Sequence, residues 1–153
     1  PRPYIAKYYR YPGAFARGSV RATSHNCSML RYAEVLLIAA EASVEVGQNA
    51  DAVTYINLVR ARARAGGDTQ TGAGTPVTVA ASAVPADITG TVTANDVLEE
   101  RRLELAFEVK RWYDISRRKI GATAFGTGGL EGDKSANFTD ADYLTPIPAG
   151  VRY

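Results

Sequence analysis

Residues 28–67, SMLRYAEVLLIAAEASVEVGQNADAVTYINLVRARARAGG, decide the fold of this chain. Apolar residues recur at helical spacing in the first half, at Leu30, Ala33, Leu37, Ala40 and Val44. Ser28 is suited to cap the start of a helix and Gly47 to end it, which predicts a helix over residues 28–46. Because apolar residues occupy most of its circumference, we expect this helix to be packed on more than one side.

The second half of the stretch predicts another helix, over residues 49–64, which ends at Gly66 and Gly67. One face of it is apolar, with a 4-3-4 spacing of Ala52, Ile56, Val59 and Ala63. Only two or three residues separate the two helices, so they must form an antiparallel hairpin. The hairpin has the size of one tetratricopeptide-type unit.

A third helix is predicted over residues 94–119. Thr93 and Asp96 have the spacing of a capping box, and the cationic residues 117–119 suit the negative end of the helix dipole. Its apolar stripe consists of Leu98, Leu105, Val109 and Trp112, widened by Leu103 and Phe107. We therefore expect Trp112 to lie in the core.

Residues 66–92 contain no Lys or Arg and predict a long loop, with β character at Pro76–Val79 and Ile88–Val92. A short hairpin would fit within it. Loops of this length are usually functional or mobile. Extended segments are predicted at both ends of the chain: a tyrosine-rich lead-in, and a tail that closes with Leu144–Pro148. The predicted fold class is thus all-α, with helical hairpins, one long irregular loop and extended ends.

The composition excludes several functions. The net charge is +2, and the basic residues mostly adjoin acidic ones, so no basic stripe for nucleic acid is present. One cysteine (Cys27) and one histidine (His25) exclude a disulfide framework and most zinc sites. Asp140 and Asp142 lack the regular oxygen array of a calcium loop, so a turn or cap is expected there. We predict no metal and no cofactor.

Glutamates 99, 100, 104 and 108 raise the question of catalysis, because Glu104 and Glu108 lie one helical turn apart. Paired carboxylates can act as acid and nucleophile on a sugar. Ion pairing along the helix is the favoured interpretation, with the pairs Glu99–Arg102, Glu108–Arg111 and Asp114–Arg118. No nucleophile with a base and an orienting group can be assembled. The chain is therefore predicted not to be an enzyme.

Tyr8, Tyr9 and Tyr11 are weak candidates for glycan binding. Aromatic faces stack on the flat apolar surfaces of sugar rings. The alternative is that these tyrosines pack on the helices.

Four motifs, in order, resemble the C-terminal region of the SusD/RagB family. They are RYAEVLLIAAEA (31–42), INLVRARA (56–63), ERRLELAFE (100–108) with RWYDI (111–115), and the closing LTPIP (144–148). Val109 stands where the family usually has glycine. Family members are several-fold longer and carry a lipidated cysteine near their N-terminus. Cys27 has no lipobox before it and is not given that role.

The resemblance implies tetratricopeptide-like hairpins and a protein that forms a lid on a SusC-type TonB-dependent transporter. Such proteins capture oligosaccharides at the cell surface and are anchored in the outer membrane by a lipid, here through an N-terminus outside this chain. This helical part would be scaffold and transporter-docking surface. A structural ion network is expected at Arg31, Glu34, Arg60, Glu100, Arg101 and Glu104. The alternative is a tetratricopeptide-like protein-interaction module that has no link to sugar uptake.

Overall fold

The computed structural model describes residues 28–70, 75–126 and 138–144. They fall into two compact units that divide between Phe107 and Glu108. The first contains helices α1 (Tyr32–Glu45), α2 (Asn49–Arg64) and α3 (Ala94–Glu104), with strands β1 (Gly67–Gln70) and β2 (Pro76–Val79). The second contains α4 (Arg111–Arg118), α5 (Gly121–Phe125) and a 3-10 helix (Asp140–Tyr143). The predicted all-α class is confirmed. The tyrosine-rich lead-in lies outside the described residues, and of the closing segment Leu144–Pro148 only Leu144 is described.

The first two helices form the predicted antiparallel hairpin. Gly47 ends α1 in the left-handed conformation (φ +76°), and the Gln48 N–H donates to the Ser43 carbonyl at 2.8 Å. This is the bonding of a glycine-terminated helix end. The predicted start at Ser28 was wrong. Arg31 occupies the N-cap position, and the Ser28 hydroxyl donates to the Leu30 carbonyl at 2.6 Å instead of capping the helix.

The core of the first unit lies between α1, α2 and α3. Its buried apolar residues are Leu36, Leu37, Ala40, Ala52, Ile56, Val59, Val92 and Val97. Ala52, Ile56 and Val59 of α2 have the predicted helical spacing, which places all three on the side of α2 that faces the core. Thr93 and Asp96 form the predicted capping box at the start of α3, with the Thr93 N–H donating to Asp96 at 2.8 Å.

The stretch predicted as loop 66–92 contains two short paired strands. β1 and β2 pair antiparallel, with Gly67 opposite Val79 and Gln70 opposite Pro76. Gly66 turns the chain into β1 with φ +72°, and a Cβ there would lie 2.3 Å from the Val79 carbonyl oxygen. The β character of Ile88–Val92 does not lead to a strand: these residues pair with no described strand, and Gly90 among them has a left-handed φ of +83°.

The single helix predicted over 94–119 was wrong, because the chain breaks it between Glu104 and Arg111. Phe107 (φ +66°) and Val109 (φ +60°) both have left-handed backbone conformations. That conformation is disfavoured for any residue with a Cβ, most of all for a β-branched one. The predicted apolar stripe is broken with the helix, since Leu103, Phe107 and Val109 are exposed. Trp112 is 37% exposed, so its assignment to the core was also wrong.

In the second unit a small aromatic cluster surrounds the buried side chains of Ile115, Ala124 and Tyr143. The Phe138 ring stacks on Phe125 at 5.4 Å and meets Tyr143 edge-on at 4.9 Å. The Tyr143 hydroxyl accepts a hydrogen bond from the N–H of Gly121 at 2.7 Å, which ties the 3-10 helix to the start of α5.

Candidate functional site

The six residues predicted as an ion network lie in three cross-helix pairs. Arg31, at the start of α1, reaches Glu104, the last residue of α3. Its Nη1 lies 2.5 Å from Glu104 Oε1, and its Nη2 donates to the Glu104 backbone carbonyl at 2.6 Å. A cation at this position both neutralises a carboxylate and satisfies a carbonyl at the negative end of the α3 dipole. Arg31 therefore joins the start of one helix to the end of another.

Arg60 of α2 makes the second pair, with Glu100 of α3. Its Nε and Nη2 donate to Glu100 Oε2 at 2.9 and 2.8 Å, while its Nη1 donates to the Ala86 carbonyl at 2.8 Å. Glu100 is only 7% exposed. A carboxylate buried this deeply needs a charged partner, because leaving it without one costs several kcal/mol.

The third pair is the most buried. Glu34 of α1 and Arg101 of α3 are 5% and 6% exposed, and Arg101 Nη2 lies 3.7 Å from Glu34 Oε1. The separation is that of an ion pair without a short direct hydrogen bond. Together the three pairs connect α3 to α1 twice and to α2 once. That they stabilise the fold remains a prediction.

Polar residues along one face of α2 hold residues 85–92, the α2 strap. Asn57 makes two bonds to Ile88: its Nδ2 donates to the Ile88 carbonyl at 3.0 Å, and its Oδ1 accepts from the Ile88 N–H at 2.8 Å. Asn49 likewise contacts the Gly90 carbonyl and the Val92 N–H. Arg64 donates to the Pro85 carbonyl at 2.7 Å and pairs with Asp87. The strap therefore runs antiparallel to α2.

Sequence reasoning did not find the residues that hold the strap. A signal was present, because positions 49, 57, 60 and 64 fall within about 80° of arc on a helix with 3.6 residues per turn. Asparagine is also a poor residue for a helix interior unless its side chain has a specific partner. The partner segment could not be read from the sequence, since nothing in residues 85–92 indicates which helix it follows.

Three of the four glutamates considered for catalysis, Glu99, Glu100 and Glu104, pair with arginines. Glu99 forms the predicted pair with Arg102 at 2.6 Å, one turn along α3. Glu104 also lies 3.7 Å from Arg62, in addition to its contact with Arg31. In the second unit, buried Asp114 pairs with Arg117 at 2.9 Å, three residues further along α4. A carboxylate paired with a guanidinium group on another element is suited to hold the two elements together.

Two aspartates have lowered pKa values, and both are in capping boxes. The pKa of Asp96 lies below its usual value because its carboxylate accepts hydrogen bonds from the Thr93 hydroxyl and N–H. Asp142 is held below its usual pKa in the same way, by the N–H and hydroxyl of Thr139. The cap that the sequence favoured over calcium at Asp142 is therefore observed. Within the described ranges no group of three acidic, histidine or cysteine residues could hold a metal ion.

The glycan-binding candidates Tyr8, Tyr9 and Tyr11 lie outside the described residues. Residues 28–70, 75–126 and 138–144 contain no helix that is both long and apolar enough to cross a membrane.

Comparison with known proteins gives a consistent family match. The sequence profile of the SusD family matches residues 2–151. SusD-like protein P2 of Formosa agariphila is 46% identical over 149 residues, which are 96% of this chain and 27% of that protein. SusD-like protein P38 of the same bacterium is 31% identical over 121 residues, 71% of this chain and 20% of that protein. The chain therefore spans about a quarter of the length of the curated relatives it matches. No solved structure matches it.

Proposed function

Because the chain belongs to the SusD family, we propose that it is the helical part of a glycan-capture protein in an outer-membrane nutrient-uptake system. The observation that carries this proposal is the family match across residues 2–151, which includes all three ion-paired helices. Capture is assigned to the whole protein, since this chain spans 27% of the length of SusD-like protein P2.

In this proposal the helical part is a scaffold that docks on a SusC-type TonB-dependent transporter. Its cross-helix ion pairs and the strap on α2 fix the helices relative to one another within the first unit. The protein is held at the cell surface by a lipid anchor in the outer membrane. It is not an enzyme, and its ligand is an oligosaccharide. The pairing of the α3 carboxylates with arginines supports a structural role for them over hydrolysis.

Tyr8, Tyr9 and Tyr11 are the proposed sugar-stacking residues in this chain, by the match between aromatic faces and sugar rings. Replacing each with alanine in the full-length protein tests this assignment. A stacking tyrosine would lose about 1 kcal/mol of binding free energy, the value of an aromatic contact. If all three variants bind glycan like the parent protein, the tyrosines pack on the helices and the site lies elsewhere.

The experiment that tests the proposed function is calorimetry of the full-length protein against a panel of oligosaccharides. Binding of at least one oligosaccharide, with no release of shorter sugars on long incubation, is the expected result. Absence of binding across the panel would favour the tetratricopeptide-like interaction module. Release of reducing ends would instead identify a glycoside hydrolase.

A further inference from the structure

The face of α2 that holds the strap contacts it mainly through main-chain atoms. Asn57 pairs with both the N–H and the carbonyl of Ile88, as the opposite residue of a neighbouring β-strand would. Other hydrogen bonds from this face also reach main-chain groups, those of Pro85, Ala86, Gly90 and Val92. We call the four α2 residues that make these bonds the α2 clamp: Asn49, Asn57, Arg60 and Arg64.

The side chains of the strap contribute less to its binding. Residues 85–87 and 89–91 are exposed, Ile88 is half-buried, and Val92 lies in the core. Asp87 adds an ion pair with Arg64, although 55% of the Asp87 side chain is exposed. Main-chain groups are the same in every peptide. The α2 clamp is therefore suited to hold an extended segment with an apolar side chain at the position of Ile88, rather than one particular sequence.

The spacing of the α2 clamp matches that of an extended chain. Asn57 and Arg64 are seven residues apart in the sequence, which is about 10 Å along a helix. Their partners Ile88 and Pro85 are three residues apart, which is also about 10 Å in an extended chain. Amide and guanidinium groups on one helix face thus repeat in register with an extended main chain.

We propose that the α2 clamp is a binding site for an extended peptide segment of a partner protein, and that the strap occupies this site in the partner's place. The hydrogen bonds of the strap replace bonds to water and so contribute little net free energy each. The strap stays bound because it belongs to the same chain, which gives it an effective concentration on the order of 1 mM. A partner segment held nearby competes with it on equal terms. The proposal is independent of glycan capture.

Peptide binding to the full-length protein with a weakened strap tests the proposal. Ile88→Pro removes the N–H that donates to Asn57 and so loosens the strap. The probe is a fluorescently labelled peptide with the sequence of residues 85–92, and its binding is followed by fluorescence anisotropy. We expect the variant to bind this peptide at least about tenfold more tightly than the parent protein, because the tethered strap competes in the parent.

Two controls identify where the peptide binds. Adding Asn57→Ala to the Ile88→Pro variant should abolish binding. A peptide methylated on the Ile88 nitrogen lacks the N–H that Asn57 accepts, and it should bind at least about tenfold more weakly. If Ile88→Pro loses the circular dichroism spectrum of the parent protein, Asp87→Lys is the milder variant, since it sets a cation against Arg64.

Three results would overturn the proposal. Absence of peptide binding to a folded variant with a weakened strap would show that the α2 clamp accepts its own strap alone. Equal binding by the parent protein and the variant would show that the strap and the peptide do not compete. Binding that survives Asn57→Ala would place the peptide somewhere else on the protein.

Discussion

Removing the charge of Glu100 while keeping its size should destabilise the first unit substantially. Glu100→Gln leaves the guanidinium of Arg60 without the carboxylate that now accepts two hydrogen bonds from it, at 2.9 and 2.8 Å. Breaking a fully buried pair in this way costs about 3–5 kcal/mol, and an exposed pair about 0–1 kcal/mol. Glu100 is buried, but the Arg60 side chain is 22% exposed and keeps its bond to the Ala86 carbonyl. We therefore expect a loss of about 2 kcal/mol in the free energy of unfolding, between those two limits.

The control is the neighbouring residue on the same helix. Glu99 pairs with Arg102 one turn along, and their side chains are 37% and 26% exposed. Glu99→Gln should cost about 0.5 kcal/mol or less, as surface pairs within a helix do. Urea unfolding followed by circular dichroism at pH 7 measures both variants. The double variant with Arg60→Ala should show a coupling free energy of at least about 1 kcal/mol. The reasoning is refuted if the two glutamine variants unfold at the same urea concentration.

Three further outcomes follow from local geometry. Val109 is 81% exposed and left-handed (φ +60°), so Val109→Gly should raise the unfolding free energy by about 1 kcal/mol, and a lower urea midpoint would contradict this. Hydrogen bonds from Thr93 stabilise the ionised form of Asp96 and lower its pKa in the folded protein. The ionised carboxylate therefore stabilises the folded state at pH values above 3.8, the pKa of Asp96 in the unfolded chain. This contribution is lost as the pH falls through the pKa of Asp96 in the folded protein. In acid titrations the Asp96→Asn variant should therefore lose less stability than the parent protein. Equal losses in the two proteins would count against the capping box. A Cβ at Gly121 would lie 2.1 Å from the Phe138 ring. Gly121→Ala should therefore lower the free energy of unfolding by about 1–3 kcal/mol, with a lower melting temperature. An unchanged melting temperature would show that the ring moves aside.

The periodic parts of the fold could be predicted from the sequence, and the break between α3 and α4 could not. α2 was placed at its observed bounds because one apolar face and a double glycine define it. The break could not be predicted because the residues between the two helices include no glycine or proline. The left-handed positions there are occupied by Phe107 and Val109. The one hint was the family resemblance, which places a glycine where Val109 stands. A glycine at that position would adopt the conformation without steric cost.

The cross-helix ion pairs were expected from the family motifs, whereas their geometry depends on tertiary packing. Spacing along a helix identifies partners three or four residues away, and it found Glu99 and Arg102. It cannot identify Arg60 as the partner of Glu100, 40 residues away. For the same reason β1 was missed: a strand of Gly67–Gln70 has weak intrinsic β propensity and forms because β2 lies opposite it.

The central claim is that this chain is part of a SusD-family component of an outer-membrane uptake system. Affinity purification of the tagged full-length protein from outer membranes of its native host tests it most directly, with the co-purified proteins quantified by mass spectrometry. The account predicts a TonB-dependent transporter in about equimolar amount, because the two proteins would form one stable complex. Recovery of the protein from the outer-membrane fraction without a transporter, or from another fraction altogether, would contradict it.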